Sequence, residues 1–103
     1  MKIYGKEIDF KITKVSHAQK FHDALEEMEK DEKKLQGMRS KDLASFLTSY
    51  IGMFQRFFIN ATGQDVLQEC DDAVEAKKAY LDFLEEIKKE KESILKFNPE
   101  DIQ

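Results

Sequence analysis

Lys41 to Asn60, KDLASFLTSYIGMFQRFFIN, constrains this chain more than any other stretch. It holds four of the eight Phe residues, and between Leu43 and Ile59 its only charge is Arg56. On a wheel of 3.6 residues per turn, Leu43, Phe46, Leu47, Tyr50, Ile51, Met53, Phe54, Phe57 and Phe58 share a face of about 160°. Ser45, Thr48, Ser49, Gly52, Gln55 and Arg56 take the opposite face. The stretch predicts an amphipathic helix near 41–60 whose aromatic stripe other elements must cover. It is too short, and too interrupted by polar residues, to span a bilayer, which takes ~20 apolar residues.

What can cover that stripe is limited. A chain of 103 residues supports one domain and one modest core. The reading is a single helical domain over 1–98, with an N-terminal β element over 1–12 and a loose tail over 99–103. In the β element, Ile8, Phe10 and Ile12 alternate with Glu7, Asp9 and Lys11, and Gly5 can turn Lys2–Tyr4 back as a short hairpin. An isolated two-stranded hairpin is marginal in water, so this one must lean on helices or on another chain.

Ser16-x-x-Gln19 reads as a capping box opening a first helix over 17–36, stopped by Gly37. Its apolar stripe is thin: Ala18, Phe21, Ala24, Leu25, Met28 and Leu35. Ser40 is the expected cap of the second helix, with Asp42 near its N-terminal dipole. Gly52, unfavourable inside a helix, reads as a small residue beside a passing helix. Asp65-x-x-Gln68 predicts a short helical turn near 65–69 that carries Val66 and Leu67 inward. Asp72-x-x-Glu75 is a second capping box, opening a last helix over 73–96 ahead of Pro99.

The fold class is therefore mostly α: a small bundle of three main helices plus a short helical turn, with an N-terminal hairpin or strand. The second and last helices, both with wide stripes, are the expected core pair. Phe46, Tyr50, Phe54, Phe57, Leu81, Leu84 and Ile87 are the expected buried residues. Phe58 and Ile59, at the stripe's edge near the helix end, are the best candidates for exposure.

Chemical motifs are sparse. His17 and His22 stand about 140° apart on a helix and cannot chelate one ion together. ECDDAVE, Glu69–Glu75, lacks the alternating ligands and central Gly of a calcium loop. Cys70 has neither a nearby base nor a C-x-x-C partner, and acids flank it, so it reads as a small packed residue. No phosphate-binding glycine loop or nucleophile elbow is present. The expectation is a non-enzymatic protein without metal or cofactor. One cysteine excludes an internal disulfide framework and fits a reducing cytoplasm. Net charge is −4, and residues 42–103 carry thirteen Asp/Glu against seven Lys/Arg, which disfavours a nucleic-acid groove. No leader or membrane segment is expected.

Four segments carry a further signal: IYGKEIDFKI from Ile3 to Ile12, the helix AQKFHDALEEM, FFINATGQDVLQECDD from Phe57 to Asp72, and E-A-x-x-A-Y-L-D-F-L-E-E-I from Glu75. Together they resemble the small tail assembly chaperones of long-tailed phages and prophages of Gram-positive bacteria. The likeness covers residues 3–92, is weakest over 33–48, and lies in hydrophobic positions, turn glycine and acidic caps. It implies a helical, self-associating protein that coats the tape-measure protein in the host cytoplasm during tail assembly. Such a chaperone is absent from the mature virion. Some families also make a longer frameshifted product. The resemblance places protein binding on Phe54, Phe57 and Phe58 with Tyr80 and Phe83; the stripe-edge argument adds Ile59. The alternative is a small helical regulator that binds one cellular protein. A secreted helical-hairpin effector is disfavoured, since the chain has no Trp for a W-x-G turn.

Overall fold

The computed structural model describes residues 1–38 and 42–95. Five elements follow in chain order: β1 (Lys2–Ile3), β2 (Lys6–Glu7), α1 (Val15–Gln36), α2 (Leu43–Thr62) and α3 (Ala73–Leu95). The expected cap Ser40 and the tail 99–103 lie outside the described residues, and α3 is described only to Leu95. Among the described residues no helix is long and apolar enough to cross a membrane.

β1 and β2 pair antiparallel, with Lys2 opposite Glu7 and Ile3 opposite Lys6. Tyr4 and Gly5 both have positive φ, 53° and 74°. That is the signature of a two-residue turn whose twist matches the strands. Gly5 takes this conformation without penalty, whereas an aromatic residue there is unusual. Tyr4 is held from outside the turn: its hydroxyl donates to Glu75 Oε2 on α3 at 3.1 Å. The strands are shorter than the 1–12 alternation implies, but the alternation still sets burial. Ile3, Ile8 and Phe10 are buried and Lys2, Glu7, Asp9 and Lys11 are exposed.

The hairpin leans on the rest of the chain, as a marginal element must. Phe10 packs 5.1 Å from Phe83 and 6.4 Å from Phe21. Gln64, just past α2, uses both ends of its amide. Its Nε2 donates to the Glu7 carbonyl at 3.0 Å and its Oε1 accepts from the Asp9 N–H at 3.1 Å. The side chain thus occupies backbone groups that an open strand edge would offer to another chain.

α2 begins at Asp42, whose Oδ1 accepts from the Ser45 N–H at 2.9 Å and whose Oδ2 accepts from the Ser45 hydroxyl at 2.8 Å. These bonds, the backbone one first, hold the Asp42 carboxyl below its usual range. α2 ends at Gly63, left-handed at φ 76°, whose N–H returns to the Ile59 carbonyl. α3 opens on Asp72, whose Oδ1 accepts from the N–H groups of Val74 and Glu75.

Several local expectations need correcting. The Ser16-x-x-Gln19 box does not form. Ser16 lies inside α1, whose cap residue Lys14 makes no side-chain cap bond, and Gln19 instead donates to Asp23. α1 does stop before Gly37, but at φ −72°, not in a left-handed turn. Residues 65–69 keep to short i→i+3 turns, Gln68 N–H to the Asp65 carbonyl and Cys70 N–H to the Leu67 carbonyl, and do not lengthen into a regular helix, while the Asp65 carboxylate accepts from the Gln55 amide. Val66 and Leu67 are nonetheless fully buried. Among the described residues, a Cβ at Gly52 would meet within 4 Å only the Arg56 guanidinium tip, at 3.4 Å, so no passing helix requires the glycine.

The packing order also differs from expectation. α1 lies along more of α2 than α3 does. A short connection folds α1 back antiparallel on α2, and Phe21, Ala24, Met28 and Leu35 suffice to line the contact. Arg56 adds an ion pair to Asp31 at 3.1 Å across the pair. α3 crosses the other side of α2, and its contacts advance in the same chain direction: Phe54 with Tyr80, then Phe58 with Phe83.

Phe83 is the hub of the core. Its ring lies 5.1 to 6.1 Å from those of Phe10, Phe21, Phe57 and Phe58, so it touches the hairpin tail, α1 and α2 at once. Phe58, expected to be exposed, is 0% exposed. The hairpin and the loop after α2 cover more of the stripe than a marginal element was expected to. The hairpin and the 63–72 connection supply Ile3, Ile8, Val66 and Leu67 to the same cluster. Leu81, expected to be buried, is 50% exposed, and Leu84 is half-buried. α3 buries one face only, through Ala76, Ala79, Phe83 and Ile87. Leu81 lies about 160° from Phe83 on that helix. Phe54, Phe57 and Ile87 are buried as expected, while Phe46 and Tyr50 are half-buried.

Candidate functional site

The aromatic stripe of α2 is covered unevenly along its length. Towards Thr62 it is enclosed. Towards Leu43 it opens, because α1 offers only Met28 and Leu35 there and α3 contributes the short side chains of its first turns. The result is an open groove of ≈ 330 Å³. Its apolar walls are Met28 and Leu35 of α1, Phe46, Tyr50, Met53 and Phe54 of α2, and Tyr80 of α3. Charge enters at the walls, with Glu32 on α1 and Lys77 on α3. A second depression, lined by Phe46, Leu47, Tyr50, Ala73, Val74 and Lys77, continues it over the start of α3. Leu43, Leu47 and Val74 are 71%, 37% and 77% exposed, so apolar surface runs on past the groove's mouth.

The floor is an aromatic ladder. Ring centroids are 6.1 Å apart for Phe46–Tyr50, 5.1 Å for Tyr50–Phe54 and 5.0 Å for Phe54–Tyr80. Tilted and edge-on contacts of this kind are favourable for aromatic pairs, so the ladder is pre-formed. Burial, then the negative charge of Glu32, raises the Tyr80 phenol above its ordinary pKa. Tyr80 therefore stays a neutral, amphipathic wall.

Of the six residues first assigned to protein binding, the structure brings two to this groove: Phe54 at its floor and Tyr80 on its wall. Phe57, Phe58 and Phe83 are enclosed in the core and present no surface. Ile59 is 42% exposed but sits in the last turns of α2, away from the groove. Leu47, Val74 and Lys77 were missed. Val74 lies about 160° from the buried Ala76 on the wheel, which places it outside the core.

The remaining chemical groups serve the fold. The His17 Nδ1 accepts the Lys11 N–H at 2.9 Å while its ring stacks on Phe10, and His22 pairs with Glu26. Cys70 Sγ donates to the Asp72 carbonyl. Hydrogen bonding with Cys70, then with Glu75, holds the Tyr4 phenol above its usual range. Among the described residues no cluster of His, Cys, Asp and Glu could hold a metal ion.

No protein-family model, curated protein or solved structure matches the chain. What the groove can do follows from its shape and lining. An open apolar trough with a few charges at its edge suits one face of an amphipathic helix.

Proposed function

We propose that this protein is a non-enzymatic binding protein that receives a helical segment of a protein partner in the groove between α1, α2 and α3. The observation that carries the reading is the apolar surface at the Leu43 end of α2. The chain leaves Phe46, Leu47 and Tyr50 partly covered and Leu43 and Val74 largely bare. Contiguous apolar surface of that kind marks interaction sites on soluble proteins.

The choice of partner rests on the resemblance. On that reading the protein is a tail assembly chaperone and the occupant is a stretch of the tape-measure protein, long, helical and adhesive before the tail tube closes around it. Many weak grooves held together by self-association would coat such a chain by raising effective concentration. The net charge of −4 would keep the coat dispersed. The site of action is then the bacterial host cytoplasm, and the chaperone leaves before the virion is complete.

The test is co-expression with a phage tape-measure protein, and light scattering of the protein alone. Leu43→Ser/Leu47→Ser changes two exposed side chains, so melting should be nearly unchanged while co-purification is lost. Retained co-purification in a folded double variant would remove the Leu43 end of α2 from the proposal. A wild-type protein that stays monomeric at high concentration and ignores the tape-measure protein would favour the regulator that binds a single cellular protein.

A further inference from the structure

α3 carries a second face that neither its packing nor the groove explains. On a wheel of 100° per residue, Val74, Lys77, Leu81, Leu84, Lys88 and Lys91 fall in one arc of about 100°. Leu84 is half-buried and the other five are exposed. From Ala73 to Lys91 the arc contains three lysines and no carboxylate, although the chain as a whole is acidic. None of the three lysines is hydrogen-bonded or ion-paired with a described residue, whereas Lys78 and Lys89, on the neighbouring face, pair with Asp82 and Glu86. From Val74 to Lys91 this side of the helix thus alternates apolar and cationic side chains, and Glu92, at the angle of Val74, ends the run. The start of this face is the far wall of the depression that Leu47 and Phe46 border, so it is concave at that end.

The geometry points to α3 as the docking face for an amphipathic helix with acidic flanks, whose apolar residues seat on Val74, Leu81 and Leu84 while its carboxylates reach Lys77, Lys88 and Lys91. Charge complementarity argues for that occupant. Three cations without an ion-pair partner among the described residues, set around aliphatic contacts, attract carboxylates and penalise a basic helix. A basic amphipathic face can also rest on an anionic membrane. Here the net charge of −4 opposes that, the arc carries no aromatic anchor, and the depression fits a rod better than a plane. This inference rests on the binding role proposed above and adds the partner's charge and the side of α3 that reads it.

Two designed helical peptides of ~18 residues, long enough for the ~26 Å from Val74 to Lys91, test it. They share one Leu/Ala face and differ only in flanking Glu or Lys. By fluorescence anisotropy at low salt, the acidic peptide should bind about tenfold more tightly than the basic one, from exposed pairs of modest strength each. Lys77→Glu/Lys88→Glu should reverse the preference and leave circular dichroism and melting unchanged, since both side chains are exposed and unpaired. Raising the salt should erase most of the difference. Equal binding of the two peptides, no binding of either, or an unchanged preference in the double variant would overturn the inference. So would binding only to phosphatidylserine vesicles, or a preference that tracks loss of self-association. Should Leu43→Ser/Leu47→Ser abolish co-purification with the tape-measure protein while Lys77→Glu/Lys88→Glu does not, the proposed function stands and the α3 docking face falls.

Discussion

Phe83 and Leu81 stand two residues apart on α3, and truncating each should have opposite consequences. Phe83 is 0% exposed and packs against four aromatic rings from three other segments. Phe83→Ala removes a ring's worth of apolar burial and leaves a cavity whose walls are anchored on separate elements, so collapse is restricted. The expected loss is about 3–5 kcal/mol. Against a total stability of about 5–15 kcal/mol for a domain of this kind, that is a large fraction. It should lower Tm by at least about 12 °C. Leu81 is 50% exposed and its Ala variant should stay within about 0.5 kcal/mol of the parent. The assay is equilibrium urea unfolding followed by circular dichroism, with equal m-values required before midpoints are compared. If Phe83→Ala does not fold, Phe83→Leu, expected to lose about 1–3 kcal/mol, takes its place. A Phe83→Ala loss under about 1 kcal/mol, or a Leu81→Ala loss as large as that of Phe83→Ala, would refute the burial assignment of α3.

Two glycines should respond with opposite signs in the same melts. Gly52→Ala should stabilise by about 0.5–1 kcal/mol, because Gly52 is inside α2 and a Cβ meets only the movable Arg56 tip; a loss would mean that a neighbour is closer than 3.4 Å. Gly63→Ala should destabilise by about 1–2 kcal/mol from its left-handed φ alone, since its Cβ would meet nothing within 4 Å; a neutral result would show that the α2 terminus relaxes. Asp42 predicts a pH effect. Its folded pKa is depressed, so the stabilisation of α2 is present above the unfolded carboxyl value, about 3.9, and is lost as pH falls through the lower folded value. NMR titration should show the Ser45 amide resonance moving over that acid window in the parent and not in Asp42→Ala; identical profiles would remove Asp42 as the cap.

Periodicity alone determined that this chain is helical and where its helices lie. The α2 stripe and the Asp72 cap are set locally, whereas the Gly5 turn also draws on the distant Tyr4–Glu75 bond. The alternation of Ile8 and Phe10 with charged residues likewise foretold which side of the N-terminal segment is buried. Which side chains remain outside depended on partners far along the chain. Phe58 is enclosed because the hairpin and the 63–72 connection contribute to its cluster. Leu81 is bare because α3 is needed on one side only. A wheel gives the angle of each side chain but not the number of neighbours that meet that angle. The groove is an absence of cover at one end of α2, and only the assembled helices show that α1 and α3 leave that end open.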